Sequence, residues 1–368
     1  MVQDRDLGDG RAQRAGRHAE VASALALLSD HRLRDLVEDA PVLGSGIGGT
    51  RALVHVEGTP VFVKRVPLTD LERRPDNVMS TANVFDLPLG CQYGVGSPSF
   101  GVWRELAANA LTTSWVLAGR SVSFPLMYHW RVLDGPASDG PLSDELADAD
   151  EAASHWNGSV AVRRRVEAIG ESSATVTLFL EHLPHALPDW LDDRMAEGAE
   201  AFDAAVAMVE RCLRRDVALM NRSGLFHFDA HFANILTDGR RLYLADFGLA
   251  SSPRFELTSA EADFLEANRS HDACHSITRL VDWLVTALTD VADGRAHNEL
   301  IADIADGAEP VGMSGTAAAI VRRYAPVAVV VNEFYRRLHT EDRSAPYPAE
   351  QVERACATSG FGTPWWAG

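Results

Sequence analysis

"HFDAHFANILTDGRRLYLADFGLA", residues 227–250, sets three oxygen-bearing side chains, Asp229, Asn234 and Asp246, around a turn and a short hairpin. The two aspartates have apolar neighbours, Phe228 and Phe247, of the kind that become buried. A solvated surface would scatter such groups without pattern. Here they punctuate strand-like segments, which predicts a site carried on a rigid frame.

Helices flank this stretch. Before it, "AFDAAVAMVERCLRRDVALMNRSG" carries Phe202, Val206, Val209, Leu213, Val217 and Met220 on one stripe and predicts a long helix closed by Gly224. After it, "SITRLVDWLVTAL" repeats the pattern with Ile277, Leu280, Val281, Leu284 and Leu288. Further upstream, the two prolines of "LPHALPDWLDDR" break the pattern, which places a boundary near 181–187. The N-terminal side of that boundary has a different texture. "VLGSGIGGTRALVHVEGTPVFVKRV" (42–66) predicts two strands joined through a glycine turn and a third strand after "EGTP". "SFGVWRELAANALTTSWVLAG" predicts an amphipathic helix stopped by Gly119, and "FPLMYHWRVL" (124–133) a strand. "VAVRRRVEAI" and "SATVTLFLEHL" both have strand texture. The chain thus divides into an N-terminal helical extension (1–40), a mostly β half (41–182) and a mostly helical half (183–368). The β half carries an insertion at 68–100 and an acidic surface loop at 134–158. This is an α+β arrangement, with a cleft expected where the halves meet.

Gly44, Gly46 and Gly49 lie between strands, not between a strand and a helix, which disfavours a Rossmann or P-loop reading. Lys64 closes "VFVK" in an alternating strand. Two readings of it stand. Either it lies on an outward strand face in water, or it is buried and needs an anionic partner such as phosphate. Glu105 could hold it in place, being the only acidic residue between Asp86 and Asp134.

Glycine loop, strand lysine, H-x-D-x-x-x-x-N (His227, Asp229, Asn234) and D-F-G (Asp246) follow one another in that order, with Asp246 seventeen positions after Asp229. Over residues 42–290 the chain resembles the protein-kinase-like superfamily, which includes protein kinases and the aminoglycoside and choline phosphotransferases. The resemblance implies a bilobal fold, with a β-rich N-lobe containing one main helix and a mostly helical C-lobe. It also implies ATP and Mg²⁺. On this likeness Asp229 would orient or deprotonate the acceptor hydroxyl, while Asn234 and Asp246 would ligate Mg²⁺. Lys64, paired with Glu105, would hold the α- and β-phosphates, and the main chain at Gly44, Gly46 and Gly49 would cover them. Glu181 and Leu183 would flank adenine through the backbone of a hinge. For Asp272 two roles stand, support of the catalytic loop or an ordinary surface carboxylate.

The chain also departs from the family. Phe228 stands where many regulated protein kinases have Arg, so control by a phosphate on the activation loop is not expected. His231 replaces the usual Lys of Ser/Thr protein kinases, and no A-P-E follows "DFGLASSPRFELTSAEADFLEANRS". "DAHFAN" is closer to the antibiotic and choline kinase version. The insertion at 68–100 is either a flap that reaches over the cleft to help choose the acceptor or a self-packed structural element.

A formal net charge of −18 argues against a general nucleic-acid surface, which needs excess Lys and Arg. The four cysteines are widely spaced and form no C-x-x-C pair, so a zinc site or disulfide framework is not expected and a reducing cytoplasm is. "PVAVVV" (326–331) is far too short to span a bilayer, and no membrane partner is expected. The leading expectation is an ATP- and Mg²⁺-dependent kinase acting on a hydroxyl of a small molecule or a dedicated peptide. The alternatives are a Ser/Thr protein kinase with broader protein substrates and a non-catalytic nucleotide-binding scaffold.

Overall fold

The computed structural model describes residues 2–46, 49–94, 96–136, 148–291, 294–313 and 315–358. The chain is α+β and divides into two compact units. The first comprises 1–182 with 246–250 and 255–257; the second comprises 183–245, 251–254 and 258–368.

In the first unit, α1 (Val2–Ala26) and α2 (Asp30–Glu38) precede three strands, β1 (Val42–Gly46), β2 (Gly49–Val56) and β3 (Thr59–Leu68). Ser29 caps α2 by accepting from the Arg32 N–H. Glu57 and Gly58 both have positive φ, 50° and 73°, which is the geometry that a two-residue hairpin between β2 and β3 demands. The turn sets the register, and Arg51 comes to lie opposite Lys64. Gly49 admits no side chain, because a Cβ there would sit 1.8 Å from the Arg65 carbonyl oxygen. The tip of the glycine turn, Ile47 and Gly48, lies outside the described residues.

A short α3 (Asp70–Arg73) and the long α4 (Val102–Leu117) lead to β4 (Met127–Asp134), then α5 (Ala149–His155), α6 (Val160–Gly170) and β5 (Ala174–Glu181). The sheet is antiparallel, in the order β1-β2-β3-β5-β4. Val102, Trp103 and Leu106 of α4 pack with Val66, Leu68, Met127, Val176 and Leu178 to form a core cluster. The helices α1 and α2 touch both β2 and β4, strands that are not neighbours, so they run across the sheet.

Three expectations are corrected here. Residues 160–170 are a helix, not a strand: Val162, Arg165, Val166 and Ile169 are buried at helical spacing, and Ser159 caps the first turn. The Val-x-Val opening gave a two-residue period that the later burial overrules. The stretch 41–182 is not mostly β and has a second sizeable helix, since α6 accompanies α4. Nor is 134–158 all loop, because α5 occupies 149–155 and the buried Trp156 donates from Nε1 to the Gly96 carbonyl (3.0 Å). Residues 137–147 of that segment lie outside the described residues.

The insertion at 68–100 is fastened within its own unit. Glu72 is 1% exposed and forms an ion pair at 2.8 Å with Arg165 of α6, itself buried. The Glu72 carboxylate also accepts from Thr69 and from the Val102 N–H at the start of α4 (3.0 Å). The Arg165 guanidinium lies 4.9 Å from the centre of the Phe85 ring. Arg104 of α4 donates to the Thr81 carbonyl (2.7 Å).

The second unit begins with β6 (His185–Ala186), α7 (Leu187–Ala196) and α8 (Ala199–Arg222). The hairpin of β7 (Ile235–Thr237) and β8 (Leu242–Leu244) joins β6 in a three-stranded sheet. Among the described residues five helices follow: α9 (Ser259–Ala267), α10 (His271–Leu288), α11 (Arg295–Ala305), α12 (Gly315–Thr340) and α13 (Ala349–Thr358). The apolar stripe of α8 is buried, as is that of α10 apart from the half-buried Leu288, and α12 packs against α8, α10, α11 and α13. Val327, Ala328 and Val331 of "PVAVVV" are core residues of α12. No helix among the described residues is long and apolar enough to cross a membrane.

Burial works against ionisation of Glu72, but Arg165, Thr69 and the Val102 N–H outweigh it and hold the carboxyl below its ordinary value of 4.5. A depressed folded pKa contributes stability that is complete above the unfolded value and is lost as pH falls through the folded one. The urea midpoint of the intact chain should therefore fall on acidification below about pH 4.5, and Glu72→Gln should flatten that acid limb. Arg165→Leu, which strands the carboxylate, should cost about 3–5 kcal/mol at neutral pH; an unchanged transition would show that the pair does not hold the insertion.

Candidate functional site

The chemistry-bearing residues form two constellations, one in each unit. In the first, Lys64 of β3 is 3% exposed, and its Nζ donates to Glu105 Oε1 and to Asp246 Oδ1, both at 2.7 Å. Of the two readings of Lys64, the buried and paired one is correct. Burial opposes its charge, but the two carboxylates outweigh it and raise its pKa. Glu105, on the first turn of α4, is pushed up by burial against the pull of Lys64. For Asp246, burial likewise opposes ionisation, yet Lys64 and Arg51 bring the carboxyl down to about 2.

Asp246 adopts φ 61°, a left-handed conformation that costs a non-glycine residue roughly 1–3 kcal/mol. Its Oδ1 is taken by Lys64, and the Gly248 N–H approaches the same atom at 3.4 Å. Oδ2 has Arg51 at 3.8 Å, and both side chains there are partly exposed. Arg51 was missed in the sequence. Its signal was the Glu57–Gly58 turn, whose two-residue register puts position 51 across from Lys64.

The second constellation is the loop 227–234. His227 is fully buried, and its Nε2 lies 3.0 Å from the Ala245 carbonyl oxygen. Phe228 also has φ 61°, unusual for a buried aromatic. Asp272 of α10 offsets that strain. Its carboxylate is 1% exposed and accepts the N–H groups of His227 and Phe228, each at 2.7 Å, and Asn221 Nδ2 at 2.7 Å. Of the two roles left open for Asp272, support of the loop is therefore correct. The Phe228 ring packs against Phe264 and His271.

Asn234 Nδ2 donates to the Asp229 carbonyl and to Asp229 Oδ2, both at 3.0 Å. His231 Nε2 lies 3.7 Å from the other Asp229 oxygen. Because the Asn234 amide nitrogen is committed to Asp229, its oxygen is the atom free to meet a cation. Ala245 N–H donates to the Asn234 carbonyl (2.9 Å), which ties the loop to the end of β8.

The remaining residues are placed as follows. Gly44 and Gly46 lie in β1 and Gly49 in β2, with Gly46 paired to Gly49. Glu181 ends β5, and its N–H already donates to the Leu126 carbonyl (2.7 Å), so that group is not free for adenine. The Glu181 side chain instead receives Arg14 of α1 on both oxygens and the Leu126 N–H. Sequence reading missed this clamp, because nothing local links residues 14 and 181. Leu183 is half-buried and opens the second unit.

Among the described residues no three His, Cys, Asp or Glu side chains gather to hold a metal. The oxygens that suit a hard cation are Asp246 Oδ2 and Asn234 Oδ1. Asp246 belongs to the first unit and Asn234 to the second, and each offers the kind of hard oxygen that Mg²⁺ takes. No protein-family model matches the chain, and no curated protein matches it significantly. The functional reading therefore rests on these residues and their geometry.

Asp272→Ala removes the acceptor from two buried N–H groups and should lower stability by about 2–4 kcal/mol. Denaturant titration checks this, and hydrogen exchange at 227–229 should rise together with the loss; a stable variant with protected amides would remove Asp272 as the support.

Proposed function

We propose that this protein is a Mg²⁺- and ATP-dependent phosphotransferase of the protein-kinase-like superfamily, which transfers the γ-phosphate to a hydroxyl of a small molecule or dedicated peptide. The observation that carries the reading is Lys64, shared at 2.7 Å between Glu105 and Asp246 from three distant parts of the chain. A buried ammonium between two carboxylates is costly to assemble, and one of those carboxylates sits on strained backbone. Such strain collects at functional sites.

In this reading the first constellation serves the nucleotide phosphates and the second the acceptor hydroxyl. Lys64 exchanges part of its hold on Asp246 for the α- and β-phosphates, and Glu105 keeps it aimed. Arg51 supplies a second cation on the same strand pair. The main chain at Gly44, Gly46 and Gly49 covers the phosphates, and that at Leu183 borders adenine. Mg²⁺, when bound, would neutralise charge that develops on the phosphates during transfer. Asp246 and Asn234 offer its protein oxygens. Asp229, held by Asn234, accepts the proton of the acceptor hydroxyl. The four free, buried cysteines fit a reducing cytoplasm.

Asp229→Asn should lower transfer of labelled γ-phosphate by roughly 10²–10⁴-fold while sparing ATP binding; full turnover by the variant would remove Asp229 from the chemistry. In wild type, saturating ATP should raise the unfolding temperature more with Mg²⁺ than without, and Asp246→Asn should abolish the difference. Label appearing in a metabolite or in one polypeptide of a lysate assigns the acceptor class.

A further inference from the structure

We infer that Gln92 and Ser99, on the insertion at 68–100, are positioning residues that hold the main chain after Asp246 and so set that carboxylate for its ligand. The inference rests on the phosphotransferase reading and assigns to the insertion the control of the same site. The contacts it is argued from lie within the first unit.

The segment that opens with Asp246 begins in a strained conformation and has no helix or strand to fix it before Ser251, which pairs with Phe226 in an isolated bridge. Lys64 holds only one oxygen of the side chain. Two consecutive carbonyls further on are held by the insertion: Ser99 Oγ donates to the Gly248 carbonyl at 2.7 Å, and Gln92 Nε2 donates to the Leu249 carbonyl. Gln92 is 4% exposed, so its amide is committed to this contact and not to water. The second part of the segment is tied in the same way. Glu256 accepts from Ser80 Oγ through its carboxylate, and its N–H donates to Thr81 Oγ1 at 2.9 Å.

A holder must itself be held. Asn83 closes a turn with Leu87 through two hydrogen bonds of 2.9 Å, and Arg104 pins the Thr81 carbonyl while lying over the Phe100 ring. Ser99 has φ 65°, so a second strained non-glycine residue donates the hydroxyl that meets Gly248. Strain on one side of a contact persists only where the surroundings over-determine it, and here it stands on both sides. At its other end the insertion, through Glu72, grips the first turn of α4, which bears Glu105. One segment thus sets the chain that carries Asp246 and the helix that carries Glu105, the two partners of Lys64.

The test uses the full chain and three proteins: wild type, Gln92→Met, which keeps volume but loses the donor, and Ser99→Ala. Hydrogen exchange in peptides covering 246–257 should quicken about fivefold or more in each variant, while 102–117 stays protected. Mg²⁺-dependent ATP affinity should fall about tenfold, metal-free ATP affinity should stay the same, and excess Mg²⁺ should restore binding, which a merely structural loss would not allow. Unchanged exchange over 246–257 overturns the inference, as does an equal fall in ATP affinity with and without metal. If Gln92→Met also loosens 102–117, Ser99→Ala decides alone, because its hydroxyl lies outside the tightly buried core. A wild type that shows no Mg²⁺-dependent ATP binding overturns the phosphotransferase reading, whereas the exchange data still decide whether the insertion holds the segment.

Discussion

A buried ammonium must be matched by negative charge or it will not stay charged, and in this chain Lys64 is matched twice. That requirement binds a strand, a helix and an irregular segment to one point. β3 delivers the lysine, α4 delivers Glu105 from its first turn, and Asp246 arrives from far along the chain. Losing one carboxylate would leave an ammonium that is 3% exposed with a single counter-charge, so each of the three elements constrains the other two. The asymmetry of the carboxylates is equally physical. Glu105 is wholly enclosed and is driven up, whereas Asp246 keeps an exposed oxygen, faces a second cation and is driven down. The carboxylate best suited to stay ionised and meet a ligand is the one with an open oxygen.

Both constellations hold strained backbone by the same means, with side chains that saturate main-chain hydrogen-bonding groups from a neighbouring element. Asp272 receives two consecutive N–H groups at His227 and Phe228, while Ser99 and Gln92 donate to two consecutive carbonyls at Gly248 and Leu249. An acceptor serves N–H groups and donors serve carbonyls, which is why a carboxylate appears in one place and a hydroxyl and an amide in the other. Each rests on a packed helix: Asp272 on α10 directly, Ser99 just before α4. The insertion at 68–100, by its composition either a flap or a self-packed element, is a fastened part of the first unit.

Much of the local structure was legible in the sequence. The β2–β3 hairpin, the stripes of α4, α8 and α10 and the short hairpin after Asn234 depend on turn chemistry and on apolar spacing, both of which act between residues a few positions apart. The same locality explains the error at 160–170. Val160 and Val162 suggested a strand, and only the packing of Arg165 on Glu72 revealed which period the segment obeys.

What the sequence determined by itself was the inventory: which segments form helices and hairpins, and which charged residues stand too close to apolar ones to remain unpaired. Tertiary structure alone decided the pairings. Arg51 with Asp246, Arg14 with Glu181, Glu72 with Arg165 and Gln92 with Leu249 join residues 93 to 195 positions apart. No periodicity reaches across such distances, because burial becomes costly to a charge only after the chain has closed around it.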